Sequence, residues 1–230
     1  MEGASPVMEE APHGSPLTPV EVRVAGALAE KALATPDSYP MSLNALTAAC
    51  NQKTGRDPVM DLEEREVTEA LDALMRRGLA GNTTGAGARV EKYRHNLDRR
   101  FDLDAPALAV LAVLLLRGPQ TAGEVRARTA RLHPFETLEK VEGVLRRLAE
   151  REEPLAAELP LQPGRKEPRF AHLLGGPVTE EATAAPVSGP AAGPAAGAER
   201  VAALERRVEA LEEALDALRG AFERFRDQFE

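Results

Sequence analysis

The sequence predicts a mainly α protein with small β-hairpins, an α+β fold. Three observations carry this. Helix-start signals recur in front of segments with apolar residues at helical spacing. Twice, three such helices give way to two short strand-like segments around a Gly- or Pro-bearing turn. Residues 199–230 then hold apolar residues at alternating three- and four-residue steps. Three helices followed by a hairpin is the order of a winged helix-turn-helix domain. The chain is therefore expected to hold two tandem winged helices and a C-terminal coiled-coil helix.

The first unit opens at Thr18-Pro19-Val20-Glu21. Thr18 can cap, Pro19 suits the first helical position, and Glu21 completes a capping box. This helix should run to about Leu33, where Pro36 and Pro40 break it. Ser42 caps a short helix through Leu43, Leu46 and Cys50. Asp61 is expected to cap a third, with Leu62, Val67, Leu71, Leu74 and Met75 along one side and Gly78 as its stop. Arg76 and Arg77 suit the negative end of that helix. Leu79-Ala80, a glycine-rich turn from Gly81 to Ala88, and Arg89 to His95 complete a hairpin.

The order then repeats. Asp104 caps a helix through Leu108, Val110, Leu111, Leu114 and Leu115, stopped at Gly118-Pro119. Thr121 and Glu124 form another capping box. Thr137 starts a third helix with Leu138, Val141, Val144, Leu145 and Leu148 inward. Leu155 to Leu159 and Arg169 to Leu174 flank a turn, Gln162-Pro163-Gly164-Arg165-Lys166, as a second hairpin. Leu97 to Leu103 reads as the joint. The units share order, not obvious sequence identity.

Residues 175–198 are rich in Ala, Gly, Pro and Thr and lack the large apolar groups that offset ordering entropy, so a flexible linker is expected. In the last segment Val201, Leu204, Val208, Leu211, Leu215, Leu218, Phe222, Phe225 and Phe229 form an unbroken a/d seam. A narrow seam with charged flanks predicts self-pairing over docking onto the body. Arg200 and Arg207 lie at g, Glu205 and Glu212 at e, so the charges permit parallel or antiparallel strands. The expected divisions are thus a disordered tail at 1–16, winged helices at 17–97 and 98–174, a linker at 175–198 and a coiled-coil helix at 199–230.

Composition limits the function. The 230 residues are 43% hydrophobic, but only 3% aromatic, with no Trp, so the core must be Leu, Val and Ala. The net charge of −8 is wrong for a generic nucleic-acid coat, because phosphates attract positive charge. Cys50 is the only cysteine, which excludes an internal disulfide and a Cys-based structural zinc site. Residues 1–16 lack the apolar core of a signal peptide, and the longest apolar run, Ala105 to Leu116, is too short to span a bilayer. A cytoplasmic protein without membrane contact is expected.

Candidate chemistry is sparse. The first unit's third helix carries Glu63, Glu64, Glu66, Glu69 and Asp72, which would face phosphates with the wrong sign. The basic residues gather beyond it. Arg76, Arg77, Arg89, Lys92 and Arg94, with Arg99 and Arg100, are opposed only by Glu91 and Asp98. Arg165, Lys166 and Arg169 add a basic second hairpin. These hairpins are the candidate DNA contacts. The second unit's third helix is more mixed, with Lys140, Arg146 and Arg147. Gly81, Gly85 and Gly87 lack the Lys-Ser/Thr and following helix of a phosphate loop. His13, His95, His133 and His172 are scattered without metal-ligand spacing, and Cys50 sits on the apolar side of a short helix. No nucleophile and base stand together, so no catalytic, cofactor or metal residue is assigned.

Specific runs of residues in the body carry a family resemblance. The matching residues include Leu17-Thr18-Pro19-Val20-Glu21, Thr35-Pro36-Asp37, Tyr39-Pro40, Leu43-Asn44-Ala45-Leu46 and Asn51-Gln52-Lys53. Arg56, Pro58-Val59-Met60, Leu116-Arg117-Gly118-Pro119-Gln120-Thr121, Gln162-Pro163-Gly164-Arg165 and His172-Leu173-Leu174 extend the match over residues 17–174. On these residues the body resembles the YceH family of bacterial proteins, and the resemblance implies tandem winged helices and no reaction. The expectation is a non-enzymatic, regulatory DNA-associated protein, a homodimer through its C-terminal helix, with no cofactor. The alternative is a protein-interaction scaffold that uses the same modules without DNA.

Overall fold

Thr18 opens helix α1 (Pro19–Ala34) with a reciprocal capping box. Its hydroxyl accepts from the Glu21 N–H, and the Glu21 carboxylate accepts from the Thr18 N–H. The computed structural model describes residues 15–83, 90–161 and 165–177, all within the first of two units, Met1–Thr183. After α1 come a 3₁₀ turn (Pro36–Ser38), strand β1 (Met41–Ser42), helices α2 (Leu43–Cys50) and α3 (Glu64–Arg76), and strands β2 (Ala80–Thr83) and β3 (Lys92–His95). Helix α4 (Leu97–Phe101) leads to α5 (Ala105–Arg117), α6 (Ala122–Thr129), α7 (Leu138–Ala149), β4 (Ala156–Glu158) and β5 (Phe170–His172). Helices with small antiparallel sheets make this the α+β class that the sequence predicts. The tail at 1–14, the linker beyond 177, the heptad segment, the turn residues 84–89 and residues 162–164 lie outside the described residues.

Most helix starts are where the caps place them. Ser42, Asp104, Thr121 and Thr137 each accept a backbone N–H three residues on. Helix α3 is an exception, because it begins at Glu64 with Glu63 as cap, not at Asp61. The Asn51 side chain explains the delay. It accepts from the Leu62 N–H and donates to the Leu62 carbonyl, both at 2.8 Å, which holds that residue outside the helix. At its other end α3 stops in a Schellman motif. The Leu79 N–H reaches the Leu74 carbonyl, the Gly78 N–H reaches that of Met75, and Gly78 supplies the left-handed φ of 71°.

The first sheet is larger than the expected hairpin. Its order is β1-β3-β2, all antiparallel, with Met41 opposite Tyr93 and Ala80 opposite His95. Strand β1 spans two residues, too few for alternation to show. Strand β2 also runs through Gly81, Asn82 and Thr83, which the sequence places in the turn. Gly81 leaves room for the Asn96 amide, which donates to the Ala80 carbonyl.

The second half repeats this plan. Gln120, between α5 and α6, exchanges both backbone hydrogen bonds with Phe170 of β5, and β5 pairs with β4. Its position matches that of β1 in the first sheet. The Gln120 side chain is buried and donates to the carbonyls of Val113 and Gly118, which pins the bridge to the end of α5.

One core serves both halves. Helix α1 is buried continuously from Glu21 to Ala29, and α5 from Ala107 to Leu116. A helix buried on every side must be surrounded, and these two lie against each other. Gly26 makes the approach close: a Cβ there would meet Leu115 and Leu116 atoms at 3.0 Å. The stretch read as a joint is helix α4, with Leu97 and Phe101 buried in the same core. The Leu17 N–H donates to the Leu174 carbonyl at 2.8 Å, so the two ends of the body meet.

Candidate functional site

The expected DNA-contacting residues separate into two groups. Arg76 is exposed on the last turn of α3, and Lys92 is exposed on β3. Lys166 is exposed and Arg165 half-buried beside the second turn. Of the other described members, Arg77 and Arg169 are engaged by the fold. Arg77 lies 3.7 Å from the Glu21 carboxylate and donates to the Ser15 carbonyl, tying the helix end to the start of α1. Arg94 is half-buried, with its Nε enclosed and unpaired. Arg169 is only 12% exposed and faces Glu124 at 3.9 Å. Arg89 and the seam residues Val201, Leu204, Val208, Leu211, Leu215, Leu218, Phe222, Phe225 and Phe229 lie outside the described residues.

The outer face of α3 is acidic. Val67, Ala70, Leu71 and Leu74 point inward, which leaves Glu64, Glu69 and Asp72 outward. Arg65 shares that face but pairs with Glu69 at 3.3 Å, one helical turn on. A phosphate approaching the first turns of this helix would meet carboxylates, and the exposed Arg76 stands only at its last turn.

Helix α7 and the second hairpin enclose a groove of about 410 Å³. Because Val141, Val144, Leu145 and Leu148 face the core, Leu138, Glu142, Arg146, Ala149 and Glu150 are turned toward this groove. Ala122, Pro168 and Phe170 add apolar lining, and Glu158 and Glu167 complete a set of four carboxylates around one guanidinium. None of the four forms an ion pair with a described residue.

Two of the three cations of α7 are spent locally. Lys140 pairs with Glu136. Arg147 donates to both oxygens of Asp104, at 2.9 and 2.8 Å. Burial would raise the Asp104 pKa, but the Ala107 N–H and Arg147 outweigh it and hold the carboxyl below its ordinary range. The mixed charge read from the sequence therefore resolves, at the groove, into an acidic site with Arg146 alone. The spacing 142, 146, 150 on α7 is legible in the sequence. That Glu158 and Glu167 close on it depends on how the hairpin folds back.

The buried titratable groups are structural. Burial pushes the Cys50 thiol up to about 12, against the pull of Arg56 and Arg23, so it is a thiol at neutral pH and a poor nucleophile. The His95 backbone N–H donates to the Tyr39 hydroxyl at 2.6 Å, and burial lowers the His95 pKa against the attraction of Asp98. Among the described residues no group of three His, Cys, Asp or Glu side chains could hold a metal ion. No helix of the described residues is long and apolar enough to cross a membrane.

A family model described as "Protein of unknown function, DUF480" matches residues 17–165. The UPF0502 protein of Geobacter metallireducens is 56% identical over 191 residues, covering 82% of this chain and 87% of the relative. The UPF0502 protein of Geobacter sulfurreducens is 54% identical over the same length and the same shares. That of Azoarcus sp. is 53% identical over 168 residues, 73% of this chain and 74% of the relative.

Proposed function

The chain belongs to the DUF480 family of proteins of unknown function, and from that premise we propose that it is a non-enzymatic protein-docking module of two tandem winged helices. The YceH family resembled in sequence is, on this reading, the same family. Support for the winged-helix reading is the plan shared by both halves: helix, pairing segment, two helices, then two strands with the last in the middle of the sheet. The heptad segment would join two copies through its seam.

One observation carries the choice of docking over DNA. The surfaces that a winged helix ordinarily turns to a duplex, its third helix and its hairpin, are acidic along α3 and in the α7 groove, while Arg77 and Arg169 are drawn into the fold. Like charges facing the phosphates would oppose association at every salt concentration that leaves them unscreened.

A second reading keeps DNA. Arg76, Lys92 and Arg99 are exposed and make no ion pair with a described residue, so the first hairpin could touch a backbone. The two readings separate in one pair of measurements. The docking module retains protein partners from lysate after nuclease treatment and shows no salt-dependent affinity for labelled duplex at low ionic strength. Tight, salt-sensitive duplex binding, with partners lost to nuclease, would reverse the assignment.

A further inference from the structure

The docking reading leaves open what is docked, and the inference here rests on it. We propose that the groove between α7 and the second hairpin takes a basic amphipathic segment of another protein, one large apolar side chain flanked by arginine or lysine.

Charge complementarity argues the basic character. Glu142, Glu150, Glu158 and Glu167 line the groove with Arg146 as its one cation, Arg165 and Arg169 lie on the far side of Glu167, and none of the four is neutralised by an ion pair with a described residue. Carboxylates gathered without partners repel one another, and a cationic ligand relieves that repulsion. The apolar share of the lining argues the central side chain. Leu138 and Pro168 are half-buried, and Phe170 is buried beneath them, so covering this surface removes apolar area from water. At about 410 Å³ the space falls in the range of ligand-sized clefts, roughly 300–1,000 Å³.

The length of the groove favours a peptide over a compact cation. From Glu142 to Glu150 the helix rises about 12 Å, at 1.5 Å per residue. An extended chain covers that distance in about four residues. Alternating cationic and apolar side chains would then reach the carboxylates and the apolar lining in turn.

The test is fluorescence anisotropy with the full chain and a labelled peptide that alternates arginine and leucine. An arginine–serine peptide of equal charge is the control. The arginine–leucine peptide should bind about tenfold tighter than the control or better. Replacing the exposed Glu150→Arg and Glu158→Arg together should weaken it by about tenfold or more, and Glu167→Lys alone by less. Reversing α3, with Glu64→Arg and Glu69→Arg, should leave it unchanged. Thermal melts of each variant show that the fold is kept. Equal loss with the α3 variant would mean diffuse attraction to an acidic chain and would overturn the proposal. So would equal affinity for the serine peptide, or full displacement by spermine, which marks a site for small polycations. The broader reading fails separately. If nuclease-treated lysate yields partners that the groove variants retain, this groove is wrong and docking stands. If the unaltered chain retains none, docking itself is wrong.

Discussion

Arg56 donates two hydrogen bonds to the carboxylate of Glu30, at 3.2 and 2.6 Å, from a side chain with no exposed surface. The same guanidinium reaches the carbonyls of Ala49 and Gly55 and the amide oxygen of Gln52. Beside it, Arg23 donates to the carbonyls of Cys50 and Pro58. Two arginines thus hold the loop after α2 against α1, by satisfying carbonyls that would otherwise be buried unpaired.

The first prediction follows from that geometry. Glu30→Ala leaves a buried cation short of its charged partner and should cost about 2–3 kcal/mol. Arg56→Lys should not be neutral, because a single ammonium cannot serve a fork of acceptors placed for a planar group. Urea unfolding of both variants measures this, and a loss under about 0.5 kcal/mol, the range of surface substitutions, would contradict it.

The shared core predicts cooperativity. With α1 against α5 and Leu17 bonded to Leu174, neither half has a complete core of its own. Heating should therefore give one transition for residues 17–174, not two. Gly26→Val places added atoms against Leu115 and Leu116, which a Cβ alone would already meet at 3.0 Å. It should destabilise both halves together by about 1–3 kcal/mol. Calorimetry in which only one of two resolved transitions shifts would show that the halves unfold separately.

What the sequence reveals, and what it conceals, divides by range. Caps are local chemistry, so Thr18 with Glu21 and Thr121 with Glu124 announce their helices from spacing alone. Asn51 and Leu62 are eleven residues apart, and their mutual hydrogen bonds shift the start of α3 in a way that no local cue reports. Gln120 is similar. One residue cannot show alternation, yet its backbone completes the second sheet. For the candidate site, the basic residues were legible as a list. Their value depended on partners at long range, such as Glu21 for Arg77 and Glu124 for Arg169.

Stability should fall as the solution is acidified toward pH 4. Burial pushes the His172 pKa down to about 4, from an ordinary 6.5. Between these values the unfolded chain binds a proton that the folded chain refuses. The contribution is whole above about 6.5 and is lost as pH drops through the window, to a limit of about 3 kcal/mol. His95 is displaced in the same direction, also by burial, and adds to the slope. His172→Leu should flatten the dependence of melting temperature on pH between 6.5 and 4.5. An unchanged slope would mean that His172 takes up its proton equally in the folded and unfolded chain.

The heptad seam predicts how the chain assembles. Its seam alternates three- and four-residue steps from Val201 to Phe229, the pattern that keeps one apolar stripe facing a partner helix. If that stripe pairs two copies, the full chain should sediment as a dimer. Leu211→Asp with Leu215→Asp should return it to a monomer, because a charge at the centre of such a seam has no water and no partner. A chain ending at Pro177 keeps the Leu17–Leu174 bond and the whole shared core, so it should also be a monomer with an unaltered melting temperature. A dimer that survives in the shortened chain would place the pairing surface on the body and remove the seam's role. A full chain that is monomeric at every concentration would leave the stripe for a different protein, which a docking module can use equally well.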